Sequence, residues 1–102
     1  MDEIRDLINI LAPKWTVEVL SVLAKGPHRY TDIEYQLTLT NRGKVYSTAL
    51  TPALVHLQEE GLVAHDDDQR HAYRITPDGL ELVKELGKVA GWRRRRRRAV
   101  RL

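Results

Sequence analysis

Residues 50–82 read LTPALVHLQEEGLVAHDDDQRHAYRITPDGLEL. Leu50, Leu54 and Leu57 recur at helical spacing, and Gly61 closes that segment. Leu62 to His65 and Ala72 to Ile75 read as two short strands around a polar tip, DDDQRH. Thr76-Pro77 restarts a helix, a hydroxyl cap followed by proline at the first helical position. Pro52 leaves two openings for the leucine-spaced helix: it starts at Thr51, where proline is favourable, or it starts near Ser47 and is bent.

Upstream, Ile4, Leu7, Ile8 and Leu11 mark one apolar face of a helix over residues 2–11, which Pro13 ends. From Lys14 to Ala24, Trp15, Val17, Val19, Leu20, Val22 and Leu23 leave little polar surface, so this helix is expected at the centre, closed by Lys25 and Gly26. Pro27 to Tyr30 is a short extended link. Thr31 and Glu34 form a capping box that opens a helix through Leu37, with Ile33 and Leu37 inward. The polar stretch TLTNRGKVYST, Thr38 to Thr48, carries an Asn-Arg-Gly turn signal. Downstream of Thr76, the residues Leu82, Val83, Leu86, Val89 and Ala90 form one helical stripe. A short helix, a turn, a second helix and at once a hairpin make the winged helix-turn-helix arrangement. The expected fold class is therefore α+β, mostly α, with amphipathic N- and C-terminal helices that need cover.

Three blocks in this order, KWTVEVLSVLAKGPHRYTDI (14–33), LTPALVHLQEEGLV (50–63) and YRITPDGLEL (73–82), resemble the HxlR-type regulators, a bacterial and archaeal branch of the winged-helix transcription factors. The resemblance implies a homodimer built through the first and last helices. Ile4, Leu7, Ile8 and Leu11 would then meet Leu82, Val83, Leu86, Val89 and Trp92. It also implies binding to double-stranded DNA operators and, often, a response to a small-molecule effector. The chain departs from the family pattern in three places. Residues between Tyr30 and Leu50 are more numerous, Pro52 and Ala53 stand where polar or basic residues are common, and DDDQR is closer to the Asp-x-Arg wing of MarR regulators.

On a wheel anchored by Leu50, Leu54 and Leu57, the opposite face presents Thr48, Thr51, Pro52 and Val55, with His56 and Gln58 on its flanks. Threonine hydroxyls reach bases or phosphates and apolar groups meet thymine methyls, but the strongly discriminating Arg–guanine and Asn–adenine pairs are missing. From Tyr35 to Gln58 there is no acidic residue, while Arg42 and Lys44, with Arg29, make a local basic surface suited to phosphates. Arg70 suits a minor groove; Asp66, Asp67 and Asp68 repel phosphates unless one orients the guanidinium, and the alternative is a hairpin whose aspartates only cap the turn. His65, the three aspartates and His71 also gather metal-ligating types, but their spacing matches no metal motif and no metal is assigned. Trp15 and Trp92 are candidates for an effector pocket, against the more ordinary role of core aromatics.

The chain ends on a run of arginines, Arg93, Arg94, Arg95, Arg96, Arg97 and Arg98. Its formal charge is +3. Arg93 to Arg98 and Arg101 supply seven of the seventeen Lys and Arg, leaving ten against fourteen Asp and Glu, a net of −4, in residues 1–92. Two segments follow, a winged-helix domain at 1–92 and an arginine-rich tail at 93–102 expected to be disordered when free. Such a tail engages up to about six phosphates, a salt slope near −5, without sequence information.

With no cysteine, disulfides and thiolate zinc sites are excluded. No Gly-rich phosphate loop, His-Glu-x-x-His or nucleophile elbow is present, so neither an enzyme nor a cofactor is expected. The acidic start is unlike a signal peptide and the apolar runs are short, which points to a cytoplasmic, nucleoid-associated protein without a membrane partner. The alternatives to a DNA-binding regulator are a winged-helix protein-interaction module and a non-specific nucleic-acid binder driven by the arginines.

Overall fold

The computed structural model describes residues 2–41, 43–68 and 70–100, the side chains of 99 and 100 excepted. Its elements are α1 (Asp2–Leu11), α2 (Thr16–Leu23), α3 (Tyr30–Asn41), α4 (Ser47–Glu59), β1 (Val63–His65), β2 (Tyr73–Ile75) and α5 (Pro77–Val100). The strands pair antiparallel with Val63 opposite Ile75 and His65 opposite Tyr73. His28 in the link before α3 adds a one-residue bridge to Tyr73, its N–H donating at 3.0 Å and its carbonyl accepting at 2.8 Å. This is the winged helix-turn-helix fold, with α3 and α4 as the helix pair and β1–β2 as the wing.

The apolar periodicities converge on one core. Val19, Leu20 and Leu23 of α2 pack with Ile33 and Leu37 of α3, Leu50, Leu54 and Leu57 of α4, and Val63 of β1. Thr16 is buried with them, and its hydroxyl is satisfied by the carbonyls of Leu11 at 2.8 Å and Pro13 at 2.9 Å, which ties the end of α1 to the start of α2. Beside it Trp15 is 5% exposed, holds a left-handed φ of 77°, and buries its indole N–H without a partner among the described residues. The left-handed backbone costs about 1–2 kcal/mol and the unmet donor about 1–3 kcal/mol. Burying an indole returns about 4–6 kcal/mol, so the arrangement is retained.

Two boundaries differ from the sequence reading, and the structure decides a third that the sequence left open. Helix α3 begins at Tyr30, so Thr31 lies in its first turn and does not cap it, and it continues to Asn41. The extra turn persists because the hydroxyls of Thr38 and Thr40 donate back to the carbonyls of Glu34 and Gln36, which satisfies these polar groups without leaving the helix. Helix α4 starts at Ser47 and takes Pro52 inside, the second of the two openings. Proline costs about 3 kcal/mol there, whereas three fully buried leucines return about 1.5–3 kcal/mol each. The second difference is α5, which runs on through Arg93–Arg98 to Val100 where a tail disordered when free was expected from residue 93. Arginine is a good helix former, elongation needs no new nucleus, and the C-terminal end of a helix favours cations. Like-charge pairs four residues apart oppose this by only about 0.2–0.5 kcal/mol each.

Helix α4 ends in a Schellman turn: Gly61 has a φ of 73°, its N–H reaches the Gln58 carbonyl, and the Leu62 N–H reaches the Leu57 carbonyl at 2.9 Å. Thr76 caps α5 by accepting from the Gly79 N–H at 3.1 Å, as its place before Pro77 predicts. Gly79 sits so close to the base of the wing that a β-carbon would run into the Leu62 carbonyl oxygen and Ile75 Cγ1. Gly79→Ala is therefore expected to lower the unfolding free energy by about 3 kcal/mol, read from the urea midpoint at unchanged m-value.

Candidate nucleic-acid interface

Because Leu50, Ala53, Leu54 and Leu57 are drawn into the core, α4 turns Thr48, Thr51, Pro52 and Val55 to solvent, the face expected from the wheel. Pro52 has no N–H to offer the Thr48 carbonyl four residues before it, so that acceptor is released on the exposed side. Thr51 is not free: its hydroxyl lies 3.0 Å from the Tyr30 hydroxyl, which spans from the start of α3 to α4 and fixes the angle between the two helices. At the N-terminal end of α4, Tyr46 is 60% exposed and the Lys44 ammonium stands 5.4 Å from its ring centroid. Sequence reasoning passed over Tyr30 and Tyr46. An aromatic just before a leucine-spaced helix is the signal that Tyr46 offered.

His56 departs from expectation. Its Nε2 lies 2.9 Å from the Ile10 carbonyl, and since a carbonyl only accepts, that nitrogen carries the proton. The ring ties α4 to α1, away from the Thr48–Val55 face, because a flanking position on a helix resting against α1 is drawn toward the free carbonyls at the α1 C-terminus. Arg42 lies outside the described residues, so its part in the basic surface rests on the sequence.

At the wing, the Asp68 carboxylate accepts the Arg70 main-chain N–H at 2.9 Å, an Asx turn, and Asp66 pairs with Arg74 at 3.0 Å. His65 stacks on Tyr73 at 4.1 Å with nearly parallel rings, and its Nε2 donates to the His71 carbonyl at 3.2 Å. The His65 and His71 rings lie 6.4 Å apart, and among the described residues no group of three or more potential ligands gathers to hold a metal. Burial, with the Tyr30 phenol nearby as the lesser cause, pushes the Tyr73 phenol above its usual 10.0.

The surfaces assigned to dimer contact divide in two. Ile4, Ile8, Val89 and Trp92 are more than half exposed, and Leu7 lies on the same open α1 face. Leu11, Leu82 and Val83 pack partly on the chain's own core, and Leu86 is half-buried on α5. Trp15 is a core residue, while Trp92 stands out on α5 at 55% exposure. All six arginines of the run are exposed. Successive helical positions step about 100°, which separates Arg94, Arg95 and Arg98, grouped around Gly91, from Arg93, Arg96 and Arg97 on the other side.

A profile of the HxlR-like helix-turn-helix family matches residues 10–100. The chain belongs to the HxlR-like helix-turn-helix family. It is 25% identical over 92 residues to the HTH-type transcriptional regulator YtfH of Escherichia coli K12, covering 86% of this chain and 69% of that protein. The fold is shared with a MarR-family transcriptional regulator from Enterococcus faecalis V583, at a TM-score of 0.85, 22% identity and coverage of 99% and 92% of the two chains. It is shared also with quinone-bound YodB of Bacillus subtilis, at 0.75, 20% identity and 93% and 99% coverage. This HxlR-like chain is a transcriptional regulator of the helix-turn-helix, DNA-binding type. No helix among its described residues is long and apolar enough to cross a membrane.

Two outcomes test this description. Pro52→Ala restores a donor to the Thr48 carbonyl and should raise the unfolding free energy by about 1–3 kcal/mol, read by thermal and urea melts. A raised tyrosine pKa contributes stability that is full below 10.0 and is lost as pH rises past it, because the unfolded chain ionises first. Unfolding measured against pH should show the alkaline decline in the wild type and a shallower one in Tyr73→Phe.

Proposed function

We propose that the chain acts as a homodimer on a roughly two-fold DNA operator, with α4 in the major groove and the arginine segment of α5 adding phosphate contacts. The observation that carries the reading is the solvent-facing Thr48–Val55 side of α4, in a stretch free of acidic residues from Tyr35 to Gln58, with Thr48, Thr51, Pro52 and Val55 exposed for bases and Arg29 and Lys44 exposed for phosphates; Arg42 joins them on the sequence alone. Supporting the dimer, the apolar face of α1 contributes no buried residue, and Val89 and Trp92 extend an apolar stripe along α5. A two-fold dimer places its two recognition helices about 34–36 Å apart in successive major grooves. The site of action is the cytoplasm, on nucleoid DNA. An effector would bind without thiol chemistry, since the chain has no cysteine.

Weak base discrimination by α4 and a body of net charge −4 leave affinity to the arginines. On a helix about three of the six face one phosphate backbone, so the salt slope they supply is near −3 and not the −5 of an extended tail. The same exposure of six arginines favours the second reading, a non-specific nucleic-acid binder.

Selection of fragmented genomic DNA by the full chain and by a full-length variant with Arg93–Arg98 all changed to Ala distinguishes the two. A shared two-fold motif, with a salt slope about 3 units flatter in the variant, is the expected result; unselective retention that vanishes with the arginines leaves only the second reading. Ile8→Asp should convert dimer to monomer in light scattering and weaken operator binding at least tenfold, with the fold intact by circular dichroism.

A further inference from the structure

Between the wing and the start of α3 lies an open groove of about 460 Å³. Arg29 and Thr31 line it from the α3 side, and His65, Arg70 and His71 from the wing, over a floor that includes Tyr73. It brings together two arginines separated by forty-one positions in the chain, and no carboxylate lines it. The walls are held: the paired hydrogen bonds between His28 and Tyr73 fasten the residue preceding Arg29 to the wing, and the Asx turn at Asp68 holds the Arg70 backbone. His71 keeps a left-handed φ of 48°, which histidine tolerates better than most residues, with its N–H on the Asp68 carbonyl at 3.2 Å.

We propose that this groove is a phosphate-binding site in which Arg29 and Arg70 close on a single phosphate group. Two arginines lining one open groove repel each other as like charges; a shared oxyanion would turn that repulsion into charge-assisted contacts from both. The first-turn amides of α3 have no intrahelical acceptor, and Thr31 and His71 line the groove beside the two arginines and add hydrogen-bonding groups. The surrounding charges leave this intact. Asp66 is spent on Arg74, Asp68 is engaged by the Arg70 main chain, and Asp67 and Asp32 do not line the groove.

The phosphate comes from a DNA backbone or from a free phosphate ester. The first source rests on the proposed operator binding and gives Arg70 a different task from minor-groove insertion: it grips the backbone at the point where the helix pair and the wing meet, so the wing clamps position and does not read sequence.

Two measurements on the full chain test the site. In the first, inorganic phosphate is titrated at constant ionic strength with chloride as control, following the arginine Nε–H and histidine ring resonances by NMR. Arg29 and Arg70 should respond along one saturable curve, and Arg29→Ala should abolish the response at Arg70. In the second, binding to a mixed-sequence duplex is compared for Arg29→Ala, Arg70→Ala and the double variant. Each single change should weaken binding by about tenfold and the double by little more than either, with the salt slope flatter by about one unit for all sequences. Both substitutions are at exposed positions, and circular dichroism verifies folding.

Coupling on DNA without a response to inorganic phosphate assigns the site to the DNA backbone. A response to phosphate in a chain that retains no DNA assigns it to a free ester and overturns the operator reading alone. Independent, multiplicative losses on DNA that depend on A·T content beside the wing, with no shared phosphate response, overturn the site and return Arg70 to the minor groove.

Discussion

A single threonine holds the working parts of this molecule in register. The Thr76 hydroxyl donates to the Gly61 carbonyl at 2.7 Å and accepts from the Gly79 N–H, while its own N–H reaches the Leu62 carbonyl at 3.0 Å. Gly61 ends α4, Leu62 leads into the first wing strand and Gly79 opens α5, so one residue joins three elements. The close approach of Gly79 to Leu62 follows from this knot, and so does the direction in which α5 leaves the core. Rotation of α4, the wing or α5 relative to the others has to break those bonds or open the junction, because the three bonds converge on one residue.

From that frame the charge distribution acquires its meaning. The domain body is acidic, yet its carboxylates are kept off the surfaces expected to meet DNA: none occurs from Tyr35 to Gln58, and at the wing Asp66 and Asp68 are engaged locally. Positive charge is concentrated in three places, the α4 entry, the wing groove and the arginine segment of α5. An acidic body with discrete basic contacts disfavours wrong orientations through like-charge repulsion while leaving the productive one attractive.

Helix α4 shows how far tertiary packing overrides local preference. Pro52 argues against helix at its own position, and an isolated peptide of this sequence would break there. In the folded chain the leucines at 50, 54 and 57 bury completely, and the helix carries the proline as an exposed defect. The tyrosine bridge from Tyr30 to Thr51 borders the same defect and restrains it.

The sequence by itself determined the element order, the winged-helix class, the glycine end of α4, the Thr76 cap and the outward face of α4, since each depends on neighbours within a turn or two and on the periods of 3.6 and 2 that local geometry imposes. It determined the HxlR family too, because three motifs in fixed order are a linear property of the chain. Tertiary structure decided what depends on distant partners: His56 turned to Ile10, Tyr30 bonded to Thr51, and Arg29 brought beside Arg70 across one groove. It also decided between the two starts for α4 and carried the six arginines onto α5. The physical reason is the same in each case. Side-chain direction and the balance between local strain and burial are set by which surfaces meet, and no spacing along the chain records that.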